Sequence, residues 1–173
     1  VETWDGSSWT EVGDLNTARY DSGRAGTSTA ALAFGGNGGS GTTVSESWDG
    51  SSWTEGPDMN TARWQGGTGG TQTAALFAAG QPGASTNVEE FDGTSWTEVN
   101  DCSTERYGVG QAGTQTDSII YGGELGSGEP KAANTEAYDG TTWASSPALG
   151  QARKSQSVGG TNTAGLITSG QPT

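Results

Sequence analysis

Apolar positions in this chain fall in short runs that return at a fixed period. Residues 29–34, 73–78, 116–121 and 163–168 are the most apolar, and stretches rich in small residues at 20–25, 64–69 and 107–112 precede the first three. A further run ends at an aromatic, Trp48, Phe91 or Tyr138, and the next one carries a Trp five residues on. Runs this short, bounded by Gly, Asp, Asn and Ser, predict β-strands. The last two runs of each set flank an Asp-Gly turn, as in Trp48-Asp49-Gly50-Ser51-Ser52-Trp53-Thr54-Glu55, with relatives at 4–11, 91–98 and 138–145. An aromatic, an Asp-Gly pair, two small residues and a Trp predict a tight hairpin.

The register between copies is unambiguous. Asp5, Asp49, Asp92 and Asp139 are spaced by 44, 43 and 47 residues; Trp9, Trp53, Trp96 and Trp143 repeat these intervals, as do Arg19, Arg63, Arg106 and Arg153. Gly-Thr pairs beginning at Gly26, Gly70, Gly113 and Gly160 follow suit and predict the turn between the first two strands. All length differences fall after Gly36, Gly80 and Gly123, in loops at 37–43, 81–86 and 124–133. Four antiparallel strands per unit at this period predict an all-β propeller of four blades, at about 19–56, 63–99, 106–146, and 153–170 joined with 1–12. In the last blade two strands come from each end of the chain, which closes the ring and removes its edges. The alternative is a segment of a larger ring.

Composition adjusts this picture in two ways. Gly supplies 31 of the 173 residues, so the core is expected to consist of small residues with Trp filling the gaps. The net charge is -13, from 20 acidic and 7 basic residues, which argues against nucleic acid and anionic membranes as partners and favours a well-solvated surface. No apolar run approaches the length of a membrane span. Cys102, the only cysteine, takes the slot of Leu15, Met59 and Leu149 and reads as a small core residue.

The unit resembles the kelch repeat over essentially the whole chain. That pattern sets a Gly-Gly pair after an apolar strand, then a variable loop, then an aromatic and a Trp. Here these are Gly35-Gly36 with Trp48 and Trp53, and Gly122-Gly123 with Tyr138 and Trp143. The aromatic-to-Trp spacing is five where kelch repeats usually have six, and Ala79 and Ser169 replace the first glycine in two copies. With its Asn-Thr-Ala-Arg segment the subtype is similar to kelch-like repeats of marine cyanophage virion and tail-fibre proteins. The resemblance implies a structural or surface part of a virion or another extracellular assembly, making protein–protein contacts.

Candidate chemistry is sparse. The Asp-Gly turn resembles the Asp-box of sialidases, though there one residue separates Asp from Gly; both readings make Asp5, Asp49, Asp92 and Asp139 structural. Each Arg is expected to form a bidentate pair with a carboxylate, either Glu2, Glu46, Glu89 or Glu136 or the turn Asp of an adjacent unit, locking one blade to the next. Trp9, Trp53, Trp96 and Trp143 are expected in packing between blades. Trp64 shares its slot with Tyr20, Tyr107 and Lys154 and is the best candidate platform for a sugar ring, so a lectin-like glycan binder is the alternative function. A glycoside hydrolase would need a carboxylate pair, and nothing marks one among repeating acids. The chain has no His, which removes the commonest general base and metal ligand. No enzyme, cofactor or metal is therefore expected.

Overall fold

A computed structural model describes residues 1–126, 128, 130–155 and 158–172; positions 127 and 129 of the 124–133 loop, and 156, 157 and 173 at the end of the chain, lie outside it. Strands β1 (Glu2–Trp4) and β2 (Trp9–Glu11) form a hairpin, and three four-stranded antiparallel sheets follow. The first contains β3 (Gly23–Thr27), β4 (Ala30–Phe34), β5 (Ser45–Trp48) and β6 (Trp53–Glu55). The second contains β7 (Gly67–Thr71), β8 (Ala74–Ala78), β9 (Val88–Phe91) and β10 (Trp96–Glu98). In the third are β11 (Gly110–Gly113), β12 (Ser118–Tyr121), β13 (Thr135–Tyr138) and β14 (Trp143–Ser146). Beyond it come β15 (Arg153–Lys154), β16 (Val158–Thr161), β17 (Ala164–Ile167) and β18 (Gln171–Pro172). Among the described residues the chain has no helix, and so none that is long and apolar enough to cross a membrane.

Strand order within each four-stranded sheet follows chain order, so their connections join neighbours, whereas β15 and β18 pair across the β16–β17 hairpin. Strands β3, β7, β11 and β16 are the inner edges, in contact each with the next. The apolar faces close on one another between sheets. Leu32 and Phe34 of the first sheet meet Ala75, Phe77 and Trp96 of the second, with Phe34 ring centroids 5.8 Å from Phe77 and 4.9 Å from Trp96. Leu76, Ala78 and Val88 of the second meet Val109, Ile120 and Tyr138 of the third, and Cys102 is buried among them. Burial pushes its thiol up to about 12, so it is un-ionised at neutral pH.

Two expectations are corrected. In three units the Gly-Thr pairs do not turn the chain; they end the inner strand, with Gly26 opposite Ala31 and Thr27 opposite Ala30 and the turn following at Ser28-Thr29, whereas in the third β11 ends at Gly113 and Thr114 opens the turn by accepting from Asp117 N–H. Gly is needed there because φ is +103° and a Cβ would stand 2.2 Å from the Ala30 carbonyl oxygen. The inner strands accordingly start about three residues later than their small-residue content suggested. The pairing of 153–170 with 1–12 is also absent among the described residues. β1 pairs with β2, β16 with β17, and the segment after β17 turns back so that β18 pairs with β15. Each half-sheet finds its hydrogen bonds within itself, which leaves Trp4, Trp9 and Leu166 exposed where their counterparts in complete sheets are covered.

Candidate functional site

The Asp-Gly turns are built by the carboxylate. In Asp49 one oxygen accepts from the Ser51 and Ser52 backbone N–H groups, both at 2.8 Å, and from the Ser51 hydroxyl. Asp5, Asp92 and Asp139 repeat this with their own Ser or Thr neighbours. These Asx turns leave Gly50 at φ +96° and hold the flanking aromatics in register, Trp48 opposite Trp53 with centroids 5.4 Å apart. The four turn carboxylates are structural ties and sit at the surface.

These bonds set an acid limit. The Ser51 hydroxyl and the Ser52 N–H hold Asp49 at about 2, and the Thr94 hydroxyl with the Thr94 and Ser95 N–H groups hold Asp92 at about 2. Burial opposes ionisation of Glu46, but Arg19 and the Asn16 and Thr17 N–H groups outweigh it and lower its pKa. A carboxyl whose pKa is depressed by folding stabilises the fold above its unfolded pKa and loses that contribution as pH falls through the folded one. The melting temperature is therefore expected to be level down to about pH 4.5 and to fall between there and about pH 2. A melting temperature that does not change over that interval would contradict these turn geometries.

Arg19, Arg63 and Arg106 enter cages of one design. Arg63 Nη2 lies 2.8 Å from Glu89 Oε1, both side chains being 1% exposed, while Nη1 donates to the Ala79 and Asn87 carbonyls at 3.0 and 2.6 Å. Arg106 meets Glu136 at 2.6 Å and Arg19 meets Glu46 at 2.5 Å in the same way. The pair is not the bidentate fork expected: one N–H reaches the carboxylate, others take carbonyls, and Nε has no partner in any of the three. Nor does the pair span two sheets, since Arg63 leads into β7 and Glu89 lies on β9 of the same sheet. The arginine's main chain does reach the neighbouring sheet: the Arg63 carbonyl accepts from Gly36 N–H at 2.8 Å and the Arg106 carbonyl from Gly80 N–H at 2.9 Å. Arg153 likewise accepts from Gly123, and its guanidinium donates to the Ser169 carbonyl and to Gln151.

The rest of the cage comes from residues to which sequence reasoning gave no role. Asn60 donates its backbone N–H and its side-chain amide to Glu89, and Asn16 does so to Glu46. Their recurrence in the Asn-Thr-Ala-Arg segment was the available signal. Gln72 and Gln115 reach back one sheet, to the Trp48 and Phe91 carbonyls at 2.6 and 2.8 Å. Trp53 and Trp143 donate their indole N–H to the Gly13 and Asn100 carbonyls, and buried Trp96 to Ser45 Oγ, whereas Trp9 is exposed.

Tyr20, Trp64 and Tyr107 each bridge to the loop of their own unit, at Asn37, Gln81 and Glu124. No ring contact joins them, and their exposure differs. Tyr20 is open, Trp64 is half-buried with its ring against Gly41, and Tyr107 is 7% exposed beneath the Lys154 ammonium, which pairs with Glu124. Just inside these three the inner strands begin around a shared cavity of about 420 Å³. Among the described residues no group of three or more His, Cys, Asp or Glu side chains is placed to hold a metal ion.

No family model matches the chain, and no curated protein matches it.

Proposed function

We propose that the chain is a non-catalytic binding and structural module, a kelch-like propeller scaffold that serves in a virion surface or another extracellular assembly by making protein–protein contacts. The observation that carries this reading is the use of the recurring charged residues. Arg19, Arg63 and Arg106 with Glu46, Glu89 and Glu136 are buried in scaffold cages, and the turn aspartates are bound to their own loops. The length differences between units fall in the loops at 37–43, 81–86 and 124–133, on the sheets as a support, where recognition commonly resides. The sugar-platform alternative rests on the Trp64 ring, which is half-buried and lies against Gly41.

An assembly module of this kind is expected to associate with copies of itself once salt screens its net charge of -13. Light scattering at two concentrations in moderate salt is expected to give a mass above 17.5 kDa that rises with concentration. A mass of 17.5 kDa at both concentrations would overturn self-assembly as the function and send the search to ligands.

A further inference from the structure

Each complete sheet fills its arginine cage with a glutamate from its third strand, and the fourth unit has the lining of a cage without that strand. Around Glu89 stand Asn60, Thr61 and Arg63, which donate to its carboxylate, and Phe77, which lies opposite it in the β8–β9 register. The repeat puts Gly150, Gln151, Arg153 and Ile167 in the same four positions. With Leu149, the counterpart of Met59, they line a cavity of about 280 Å³. It lies where a complete sheet brings in its glutamate. Arg153 already makes the carbonyl contact of the other cages, Nη1 donating to Ser169 as Arg63 Nη1 donates to Ala79.

The strand beside this cavity has an open edge. β4, β8 and β12 are each paired on both sides, whereas among the described residues β17 pairs with β16 alone. Leu166 on β17 is 64% exposed, while its counterparts Leu32 and Leu76 are 3% and 0% exposed. Such an edge is a template for one more strand.

The chain also carries the matching strand. Among the described residues β1 pairs with β2 alone, and its exposed Glu2 is the counterpart of buried Glu46, Glu89 and Glu136. Trp4 shares the Glu2 face of β1, with Trp9 opposite it on β2, and both rings are exposed. Within one chain the two open edges are anchored to different sheets. Asn16 and Thr17, just after β2, donate to Glu46 of the first sheet, and β16 lies against β11 of the third.

We propose that β17 of one copy takes β1 of a second copy as its third strand, with Glu2 of the second copy entering the cavity beside Arg153. The proposal rests on the assembly reading and names its contact. The pairings of β4 with β5, β8 with β9 and β12 with β13 set the register: Gly165 opposite Trp4, Leu166 opposite Thr3 and Ile167 opposite Glu2. Glu2 then accepts from the Gly150 and Gln151 N–H groups, as Glu89 does from Asn60 and Thr61, and meets the Arg153 charge. Each copy offers one edge of each kind, so the contact is head-to-tail and builds a ring or a filament.

Mixing a Thr3→Cys protein with a Leu166→Cys protein under mild oxidation tests the pairing. Residues opposite one another on paired strands lie within disulfide reach, and Cys102 is buried and stays out of the reaction. Peptide mass spectrometry of the mixture is expected to find a disulfide dimer joining position 3 of one copy to position 166 of the other. Light scattering in moderate salt supplies a second readout. Glu2→Gln should weaken association at least about tenfold, the worth of one charge-assisted hydrogen bond. Glu2 is exposed on its hairpin, so the substitution leaves the single copy's fold in place. Failure to form the mixed disulfide would overturn the proposal. So would a mass that rises with concentration equally in Glu2→Gln and the parent, a result that leaves the assembly reading standing on another surface. A mass of 17.5 kDa at every concentration would overturn both.

Discussion

Arg63→Met is expected to lower stability by about 3–5 kcal/mol, the usual consequence of removing one partner of a buried ion pair. In a chain of this size that is a fall on the order of 10 °C in melting temperature. The substitution keeps most of the side-chain volume and its packing over Phe77, whose ring centroid lies 4.8 Å from Arg63 Cζ. The loss is therefore electrostatic. Glu89 would remain 1% exposed with only the Asn60 and Thr61 donors, and the Ala79 and Asn87 carbonyls would each lose a donor. Adding Glu89→Gln to Arg63→Met removes the stranded charge and should recover part of the loss. Arg63→Lys falls between, because a single ammonium cannot reach a carboxylate and two carbonyls in the fixed plane that a guanidinium spans. Urea unfolding of the four proteins measures the series. An Arg63→Met variant within about 1 kcal/mol of the parent would show that the cage is worth no more than a surface pair.

Gly70→Ala should be nearly as damaging, and for a reason that separates backbone strain from collision. Gly70 has φ +110°, and a Cβ there would stand 2.1 Å from the Ala74 carbonyl oxygen, inside the hairpin that joins β7 to β8. Gly6 has φ +100° and nothing within 4 Å of its Cβ position. Both alanine variants therefore carry a conformational penalty of about 1–3 kcal/mol. Only Gly70→Ala adds the overpacking of two strands, which is worth about 1–3 kcal/mol more. Thermal unfolding of the two variants side by side should place Gly70→Ala clearly below Gly6→Ala. Equal melting temperatures would mean that the inner hairpin yields easily, at odds with a close-packed inner edge.

Local features were legible in the sequence because they are made by residues adjacent in the chain. The Asp-Gly hairpins are such a case: Asp49 binds Ser51 and Ser52, two and three residues away, so the composition of eight residues contains the whole structure. The strand that follows each inner turn and the aromatic that ends the third strand were legible for the same reason. The placement of the Gly-Thr pair was not. Gly signals a turn when read alone, whereas here it serves the close approach of Ala30 across the hairpin, which a local reading does not contain.

The repeat alone determined that the chain is built of β-strands in equivalent units, that Arg and Glu recur at one place in each, and that length differences are confined to three loops. Only the tertiary structure decided which Glu each Arg meets, that it does so within its own sheet, and that the Arg carbonyl accepts a bond from the neighbouring unit. It also decided that β1–β2 and β16–β17 each pair within themselves. The cavity at the start of β3, β7 and β11 belongs entirely to this second class. Asp21, Arg24, Gln65, Gln111 and Ser155 are spread over three-quarters of the chain, and they carry no common motif. They share a site because units stacked by a repeating core bring their inner edges together around one space, and a repeat pattern displays its constant positions while leaving the divergent ones to be found in three dimensions.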